Sequence, residues 1–320
     1  MTGFPSDLKH HRSFKKCSEL WFEDGSIILE ADNGTLFRVY GGHLTRCSSV
    51  LNEMLAEAEQ SHDLFEGIPL VPMDDSAADL RCFLKALFDL KFYTKRGPEM
   101  ELEDIISVLR LSTKYNTEVL RTQTLSILST VFPSRLDVFV TTNEHKWRSR
   151  LTPRKLFTLA NLAKEADATA LLPSILYLCC RRDLVKILDG VETPSGSRAV
   201  LDGEIMRRII IGRRALESLA RTWTYSYLYD HNVPFEHQCE DSSRCRQFIH
   251  TKAKSIDSYP DVFLDPLAPP SLYQNFDGRV CRSCLRWMEG VVKVSLEHVW
   301  TCLPVVFGFP EWGSLVRVSE

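Results

Sequence analysis

Four of the ten cysteines in this 320-residue chain form two closely spaced pairs near the C-terminus. Five residues separate Cys239 from Cys245, and two residues separate Cys281 from Cys284. Two such pairs can complete the tetrahedral coordination of one zinc ion, because each pair supplies two thiolates from one short stretch of chain. The Cys-x2-Cys spacing is typical of zinc sites, whereas a spacing of five is wider than usual.

This pattern predicts one structural zinc ion bound by Cys239, Cys245, Cys281 and Cys284. The surrounding segment is rich in proline and shows little apolar periodicity, so a metal would help it to fold. The alternative is that the four thiols are unrelated buried or surface cysteines, since cysteine is often buried without any metal. If Cys239 or Cys245 lies out of reach, the reserve ligands are His237, His250, His298 and Cys302.

No sequence pattern indicates a catalytic site. A G-x-S-x-G elbow, a P-loop, a dinucleotide-binding glycine motif and an H-E-x-x-H helix are all missing from the sequence, so we expect no enzymatic activity. Arginine pairs occur at residues 181–182, 207–208 and 213–214, which leaves a zinc-containing nucleic-acid-binding regulator as one alternative. Nearby acidic residues and a formal net charge of −3 favour a solvated helix face for these arginines instead.

The elements near the N-terminus follow a recognisable order. Two strand patterns at residues 26–30 and 35–40 are joined by Asn33-Gly34, which predicts a tight hairpin with positive φ at both turn residues. Apolar residues at helical spacing then predict two short helices in tandem over residues 43–55, with Ser48 or Ser49 as a cap. A third strand follows at residues 68–71, and a helix capped by residues 74–76 presents an apolar face from Leu80 to residue 88.

This order resembles the BTB/POZ domain. The resemblance is carried by residues 24–29, 35–39, 43–55 and 80–88. Within the BTB proteins, these residues look most like the expanded BTB family of mushroom-forming (basidiomycete) fungi. The tail also looks similar to that family, with the two cysteine pairs followed by Trp300, Leu303-Pro304, Phe307-Gly308 and Pro310-x-Trp312. One departure is that Tyr40-Gly41-Gly42 stands where the family usually has a His-Arg pair.

The resemblance implies a non-enzymatic protein–protein interaction module. Domains of this family commonly self-associate or recruit other proteins, and a symmetric homodimer is the commonest closed assembly. Some dock on cullin scaffolds, so a substrate adaptor for a cullin-type ubiquitin ligase is an alternative, with Leu64, Phe65 and Glu66 as the partner-binding residues. The competing interpretation is that Leu64 and Phe65 pack locally at a strand entrance.

We therefore expect an α+β chain: a BTB/POZ-like domain with a small mixed sheet capped by helices, followed by a mostly helical domain with an irregular cysteine-containing tail. The expected segments are a flexible lead-in at residues 1–19, the BTB/POZ-like domain at 20–131, a helical extension at 132–230, and a tail rich in proline and aromatic residues at 231–320. From about residue 135 every predicted element is a helix; Thr152 and Pro153 open one of them, and residues 189–202 form a loop between two others.

Composition limits the cellular compartment and the kinds of partner that we expect for this chain. Hydrophobic residues at 44% and charged residues at 25% are ordinary globular values, and the small net charge favours neither nucleic acid nor an anionic membrane. No apolar run reaches the roughly 18 residues that span a bilayer, and residues 1–16 lack the apolar core of a signal peptide. We expect an intracellular protein of the cytoplasm or nucleus, whose thiols are reduced or bind metal.

Overall fold

The computed structural model describes residues 14–61, 63–89, 92–93, 100–141, 150–193, 196–229, 239–258, 263–267, 276 and 278–318. The chain divides into two compact units, which we call the N-terminal unit (residues 1–127) and the C-terminal unit (residues 128–320). The N-terminal unit contains a five-stranded sheet with helices, and the C-terminal unit is mostly helical. The predicted α+β class is confirmed at this level.

The sheet of the N-terminal unit mixes parallel and antiparallel pairs. Its strands are β1 Lys15–Trp21, β2 Ile27–Glu30, β3 Thr35–Val39, β4 Leu64–Phe65 and β5 Ile68–Pro72. They lie in the order β1-β3-β2-β5-β4, in which β2 is antiparallel to β3 and parallel to β5. Every residue of β2 is buried, as expected for the central strand of a covered sheet.

The turn between β2 and β3 differs in detail from the prediction. Gly34 has φ of 79°, and its N–H donates to the carbonyl of Ala31 at 2.9 Å. Asn33 keeps a negative φ, and its side-chain oxygen accepts the N–H of Thr35 at 3.1 Å. The hairpin is therefore confirmed, but only Gly34 takes the left-handed conformation. The Asn33 side chain instead supports the turn by accepting a backbone N–H group.

Strand β1 begins inside the segment predicted to be a flexible lead-in. It starts at Lys15, runs parallel to β3 and ends at Trp21, one residue after the buried Leu20. Most of its other side chains are exposed, so its sequence lacks the alternating apolar pattern that predicts a strand. Its backbone hydrogen bonds to β3, which lies about twenty residues further along the chain, are what order residues 15–19.

The helices of the N-terminal unit follow the predicted order. They are α1 Gly41–Cys47, α2 Ser49–Ser61, α3 Ala77–Phe88, α4 Leu102–Lys114 and α5 Glu118–Val131, and the boundary between the two units falls within α5. The Ser48 hydroxyl accepts the N–H of Leu51 at 2.9 Å, and the Ser76 hydroxyl accepts that of Asp79 at 3.1 Å. The tandem helices and the capped helix are thus confirmed.

The C-terminal unit is built from helices and one short hairpin. Its helices are α6 Leu136–Thr141, α7 Pro153–Glu165, α8 Leu172–Cys180, α9 Leu184–Asp189, α10 Gly203–Leu219, α11 Ser226–Tyr229, α12 Ser242–Asp257, α13 Arg282–Val306 and α14 Trp312–Val318. A π-helix, Ala220–Thr224, joins α10 to α11. The Thr152 hydroxyl caps α7 by accepting the N–H of Lys155 at 3.4 Å, as predicted.

Strands β6 Val191–Glu192 and β7 Arg198–Ala199 form a short hairpin within the loop predicted at residues 189–202, where Gly190 at φ of 75° ends α9 and turns the chain. The prediction of an irregular tail was wrong, since the described residues of the tail contain the 16-residue α12 and the 25-residue α13. Pro304 lies only in the last turn of α13. Buried residues recur at helical spacing along this helix: Cys284, Met288, Val292, Ser295, Val299 and Leu303.

Two tryptophans of the tail pack within the C-terminal unit. The Trp300 indole N–H donates to the carbonyl of Ser134 at 2.8 Å, and its ring lies 4.5 Å from that of Phe139. Trp312 stacks on Trp300 at 5.5 Å and donates to the Trp300 carbonyl at 2.8 Å. These contacts anchor the end of the chain to helix α6. Among the described helices, none has both the length and the apolar character needed to cross a membrane.

Candidate metal centre

The start of α12 positions the first pair of cysteines. Asp241 caps this helix, and its carboxylate accepts the N–H of Arg244 at 3.0 Å. Cys239 lies two residues before the cap, and Cys245 lies in the first turn after it. The wide spacing of five residues is thus taken up by the cap and the first helical turn, which bring both sulfurs to the same end of α12.

The start of α13 positions the second pair. Cys281 is the N-cap residue of this helix, with φ of −70° and ψ of 162°, and Cys284 is its third residue. The cap and the third helical position are neighbours in space, so a Cys-x2-Cys spacing places both sulfurs at the helix N-terminus. The partial positive charge of a helix N-terminus favours the thiolate form of cysteine.

All four sulfur atoms come together. The Sγ atoms of Cys239, Cys245, Cys281 and Cys284 lie within 4.8 Å of one another, and that of Cys239 is 3.5 Å from Cys284 and 3.8 Å from Cys281. Four sulfurs that bind zinc at about 2.3 Å lie about 3.8 Å apart at the corners of a tetrahedron. A disulfide would instead bring two sulfurs to about 2.05 Å. The geometry fits a four-thiolate metal site, and the cysteines are reduced.

Hydrogen bonds around the sulfurs join the two helix ends directly. The backbone N–H of Cys281 donates to the sulfur of Cys245 at 3.3 Å. The Arg244 guanidinium donates to the carbonyls of Gly278 at 2.9 Å and Arg279 at 3.3 Å, which connects α12 to the chain just ahead of Cys281. Hydrogen bonds around the ligating atoms hold metal ligands in position. Here these hydrogen bonds are formed between groups of the protein itself.

The protonation of the four thiols is uneven. Burial raises the pKa of Cys281, but the backbone N–H groups of Cys284 and Glu240, together with neighbouring thiols, outweigh it and lower the pKa to about 6. Burial raises the pKa of Cys245 to about 11, and burial together with the hydrogen bonds that the Cys284 thiol donates to neighbouring sulfurs raises the pKa of Cys284. At neutral pH a zinc ion would therefore have to displace protons from the cluster.

The cluster belongs to the apolar core of the C-terminal unit. Cys245, Cys281 and Cys284 are buried, whereas Cys239 is partly exposed. The buried residues packed in the same core include Tyr227, Ile249, Phe276, Met288 and Val292. A site enclosed by protein in this way suits a structural ion, because a catalytic zinc keeps one coordination position open to substrate.

The reserve ligands that the structure describes, His250, His298 and Cys302, do not join this cluster. Among the described residues, the four cysteines are the one group of three or more His, Cys, Asp or Glu close enough to hold a metal ion. His250 is exposed on α12, and the ring of His298 stacks on Trp223 at 3.8 Å with its Nε2 also 3.8 Å from the sulfur of Cys302. His237 lies outside the described residues.

The predicted partner-binding residues form the tip of the β4–β5 hairpin. Leu64 is 60% exposed, so it does not pack at a strand entrance, whereas the half-buried ring of Phe65 contacts that of Phe14 at 5.4 Å. Glu66 has φ of 55° in the turn and forms an ion pair with Lys16 at 2.8 Å. One apolar side chain of this motif is therefore presented to solvent.

The arginine pairs are largely occupied by contacts within the protein. In each pair at least one guanidinium forms an ion pair: Arg181 with Asp265 at 2.9 Å, Arg208 with Glu204 at 2.8 Å, and Arg213 with Glu217 at 3.6 Å. Arg213 also donates to the carbonyls of Cys180 and Arg182, both at 2.9 Å. These contacts favour a structural role for the arginines over phosphate binding.

Sequence reasoning missed an open groove between the π-helix and α13. We call it the tryptophan groove; its volume is about 570 Å³, and its lining includes Trp223, Arg286, Trp287, Gly290, Val291 and Val294. On α13 the residues Trp287, Val291, Val294 and His298 recur at helical spacing, which was the available signal. The same spacing is typical of an ordinary buried helix face, so it could not predict an open surface.

No protein-family model matches the chain, and no curated protein matches it either.

Proposed function

We propose that the C-terminal unit binds one structural zinc ion through Cys239, Cys245, Cys281 and Cys284, in a non-enzymatic protein-interaction protein of the BTB type. The observation that carries the zinc proposal is the convergence of four sulfurs within 4.8 Å at the N-terminal ends of two helices. Soft thiolate ligands in a tetrahedral arrangement suit zinc better than magnesium or calcium, which prefer oxygen.

The zinc ion would act as a cross-link between α12 and α13. Four protein ligands fill its coordination shell, so no position is left for a substrate, and the free energy of binding adds to the free energy of folding. Among the described residues between α12 and α13, the buried apolar side chains are Leu267, Phe276 and Val280. A metal that joins the two helix ends would stabilise this connection more than packing alone.

The N-terminal unit supports the interaction part of the proposal. Its hairpin, tandem helices, strand β5, capped helix α3 and closing helices α4 and α5 follow the element order that the BTB resemblance implies. Its surface presents large apolar side chains, among them Phe14, Tyr40 and Leu64. We propose that this unit self-associates through an apolar surface, as a symmetric dimer.

Native mass spectrometry of the full chain, before and after a chelator, tests both parts. We expect a dimer with one zinc ion per chain, and release of the zinc by the chelator. Cys284→Ser should abolish stoichiometric zinc, while Cys302→Ser, on the same helix but outside the cluster, should retain it.

The two parts of the proposal fail separately. A chain without zinc, whose four thiols are all alkylated in the native state, would refute the metal centre. A strictly monomeric chain at micromolar concentration would refute self-association and leave the metal centre in place.

A further inference from the structure

One cysteine of the metal centre is more accessible than the other three. Cys245, Cys281 and Cys284 are buried, whereas Cys239 is partly exposed. Cys239 also lies two residues before the cap of α12, outside both helices, so its side chain can shift without breaking a helical hydrogen bond. With zinc bound, all four sulfurs are thiolates, the form of cysteine that oxidants attack. Access therefore decides which sulfur of the loaded centre reacts first.

The sulfurs nearest to Cys239 belong to the other helix. The Sγ atom of Cys239 lies 3.5 Å from that of Cys284 and 3.8 Å from that of Cys281. A disulfide needs a separation of about 2.05 Å, so a movement of about 1.5 Å joins Cys239 to Cys284. Among the described residues, the partly exposed Cys302 instead contacts the imidazole of His298 at 3.8 Å and no second thiol.

We infer, on the basis of the zinc site proposed above, that Cys239 is an oxidation site at which a peroxide drives a disulfide to α13 and releases the zinc ion. The nearest partner on α13 is Cys284, with Cys281 next. The disulfide replaces the ion as the connection between α12 and α13.

The chemistry takes two steps. The Cys239 thiolate first attacks one oxygen of the peroxide, so that an S–O bond forms, the O–O bond breaks and hydroxide leaves. The Cys284 thiolate then attacks the sulfur of the resulting sulfenic acid, so that the S–S bond forms, the S–O bond breaks and a second hydroxide leaves. The two thiolates lose two electrons in total, the peroxide gains them, and both hydroxides take up protons from solvent.

The loss of two ligands explains the release of zinc. Two thiolates remain, whereas a structural zinc site needs four ligands. The disulfide spans 45 positions and joins the same helix ends as the ion, because Cys239 precedes α12 and Cys284 lies in the first turn of α13. The C-terminal unit can therefore give up its zinc and keep the connection between the two helices.

Hydrogen peroxide treatment of the zinc-loaded full chain tests this chemistry. A chromogenic chelator measures the released zinc, and peptide mass spectrometry without reduction maps the disulfide. We expect one zinc ion to be released for each disulfide, and the first disulfide to link Cys239 to Cys284 or Cys281. Dithiothreitol with added zinc should then restore the loaded centre.

The variant Cys239→His separates metal binding from oxidation. Histidine can take the place of one thiolate in a zinc site, but it cannot form a disulfide. We expect this variant to retain zinc and to release it at least about 10-fold more slowly, because the other three cysteines are buried. Cys302→Ser, on α13 but outside the cluster, is the matched control and should release zinc at the wild-type rate. The disulfide map of wild type decides the assignment independently of either variant.

Hydrogen exchange separates the oxidised chain from the chelated one. Both lack zinc, but the oxidised chain should keep slow amide exchange at the start of α12 and α13, because the disulfide holds the two helix ends together. The reduced, chelator-treated chain should exchange faster at the same amides.

Four results would overturn this inference alone: zinc retained after Cys239 is oxidised, a first disulfide that does not link Cys239 to α13, release from Cys239→His as fast as from wild type, or equal exchange in the oxidised and chelated chains. A chain isolated without zinc would refute the proposed metal centre and this inference with it. The zinc content before peroxide is added distinguishes the two failures.

Discussion

Cys281 differs from its neighbours in the cluster because the backbone N–H groups of Cys284 and Glu240 donate to its sulfur, as do neighbouring thiols. Burial alone would raise the pKa of this thiol, yet these donors lower it to about 6. A pKa lowered in the folded state means that folding favours the thiolate. In the metal-free chain this stabilisation is complete above the unfolded pKa and is lost as pH falls through about 6.

Alkylation of the chelator-treated chain should resolve this difference. Because the thiolate is the reactive form, the labelling rate of Cys281 by iodoacetamide should reach half of its maximum near pH 6. The rates of Cys245 and Cys284, whose pKa values are raised, should still be rising above pH 9. Peptide mass spectrometry measures each rate, and the urea-unfolded chain is the control. A common midpoint near pH 9 in the folded chain would contradict the assignment.

Helix α10 shows how one element fixes the end of the chain. A Cβ at Gly212 would lie 2.4 Å from the ring of Phe307, so only glycine leaves room for this ring. Arg208, one turn earlier, donates to the carbonyls of Phe307 at 2.6 Å and Gly308 at 3.1 Å. Gly308 takes φ of 74°, which turns the chain after α13. The Phe307-Gly308 pair of the tail therefore has a packing role.

The substitution Gly212→Ala should lower the free energy of unfolding of the C-terminal unit by about 1–3 kcal/mol, the usual cost of overpacking. Phe307→Leu in the same chain should recover part of the loss, because the smaller side chain makes room for the methyl group. Urea unfolding followed by tryptophan fluorescence suits this measurement, since five of the six tryptophans lie beyond residue 127.

Gly290→Ala is the matched control for Gly212→Ala. Both glycines lie within long helices, but a Cβ at Gly290 meets open space. Gly290→Ala should leave the free energy of unfolding unchanged or raise it by up to about 1 kcal/mol. Equal effects of the two substitutions would show that the contact with Phe307 carries no strain.

At the scale of the whole molecule, each unit has a core of its own. The core of the N-terminal unit includes Phe37, Leu44 and Phe83, whereas the cysteine cluster lies in a core of the C-terminal unit with Phe276 and Met288. All four cysteines of the proposed metal centre come from the C-terminal unit. The effect of the metal on folding should therefore be local to that unit.

Hydrogen exchange of the full chain should show this localisation. Removal of zinc by a chelator should speed amide exchange in α12 and the first half of α13, because the cross-link between their ends is lost. Exchange in β2, β3 and β5 should stay within error. Zinc added back in excess should restore the original rates. An equal acceleration in both units, or none in α12, would contradict a structural metal at this site.

Local spacing alone predicted several features correctly. The caps at Ser48, Ser76 and Thr152 and the hairpin at Gly34 depend on hydrogen bonds between residues no more than four positions apart. Each half of the metal centre is local in the same sense, since each cysteine pair spans only the beginning of one helix. Periodicity within a helix is equally local, and it predicted the tandem helices over residues 43–55 and the helix that follows residues 74–76, but not α12 and α13 of the tail.

Only the tertiary structure decided what depends on distant residues. The sulfurs of Cys239 and Cys281 meet across 42 positions, whereas the sequence alone kept three histidines and Cys302 as reserve ligands in case Cys239 or Cys245 lay out of reach. Strand β1 is ordered by pairing with β3, which its own residues do not indicate. Local hydrogen bonds and spacing determine which elements form. Long-range packing determines which of their side chains meet and which, as in the tryptophan groove, stay open to solvent.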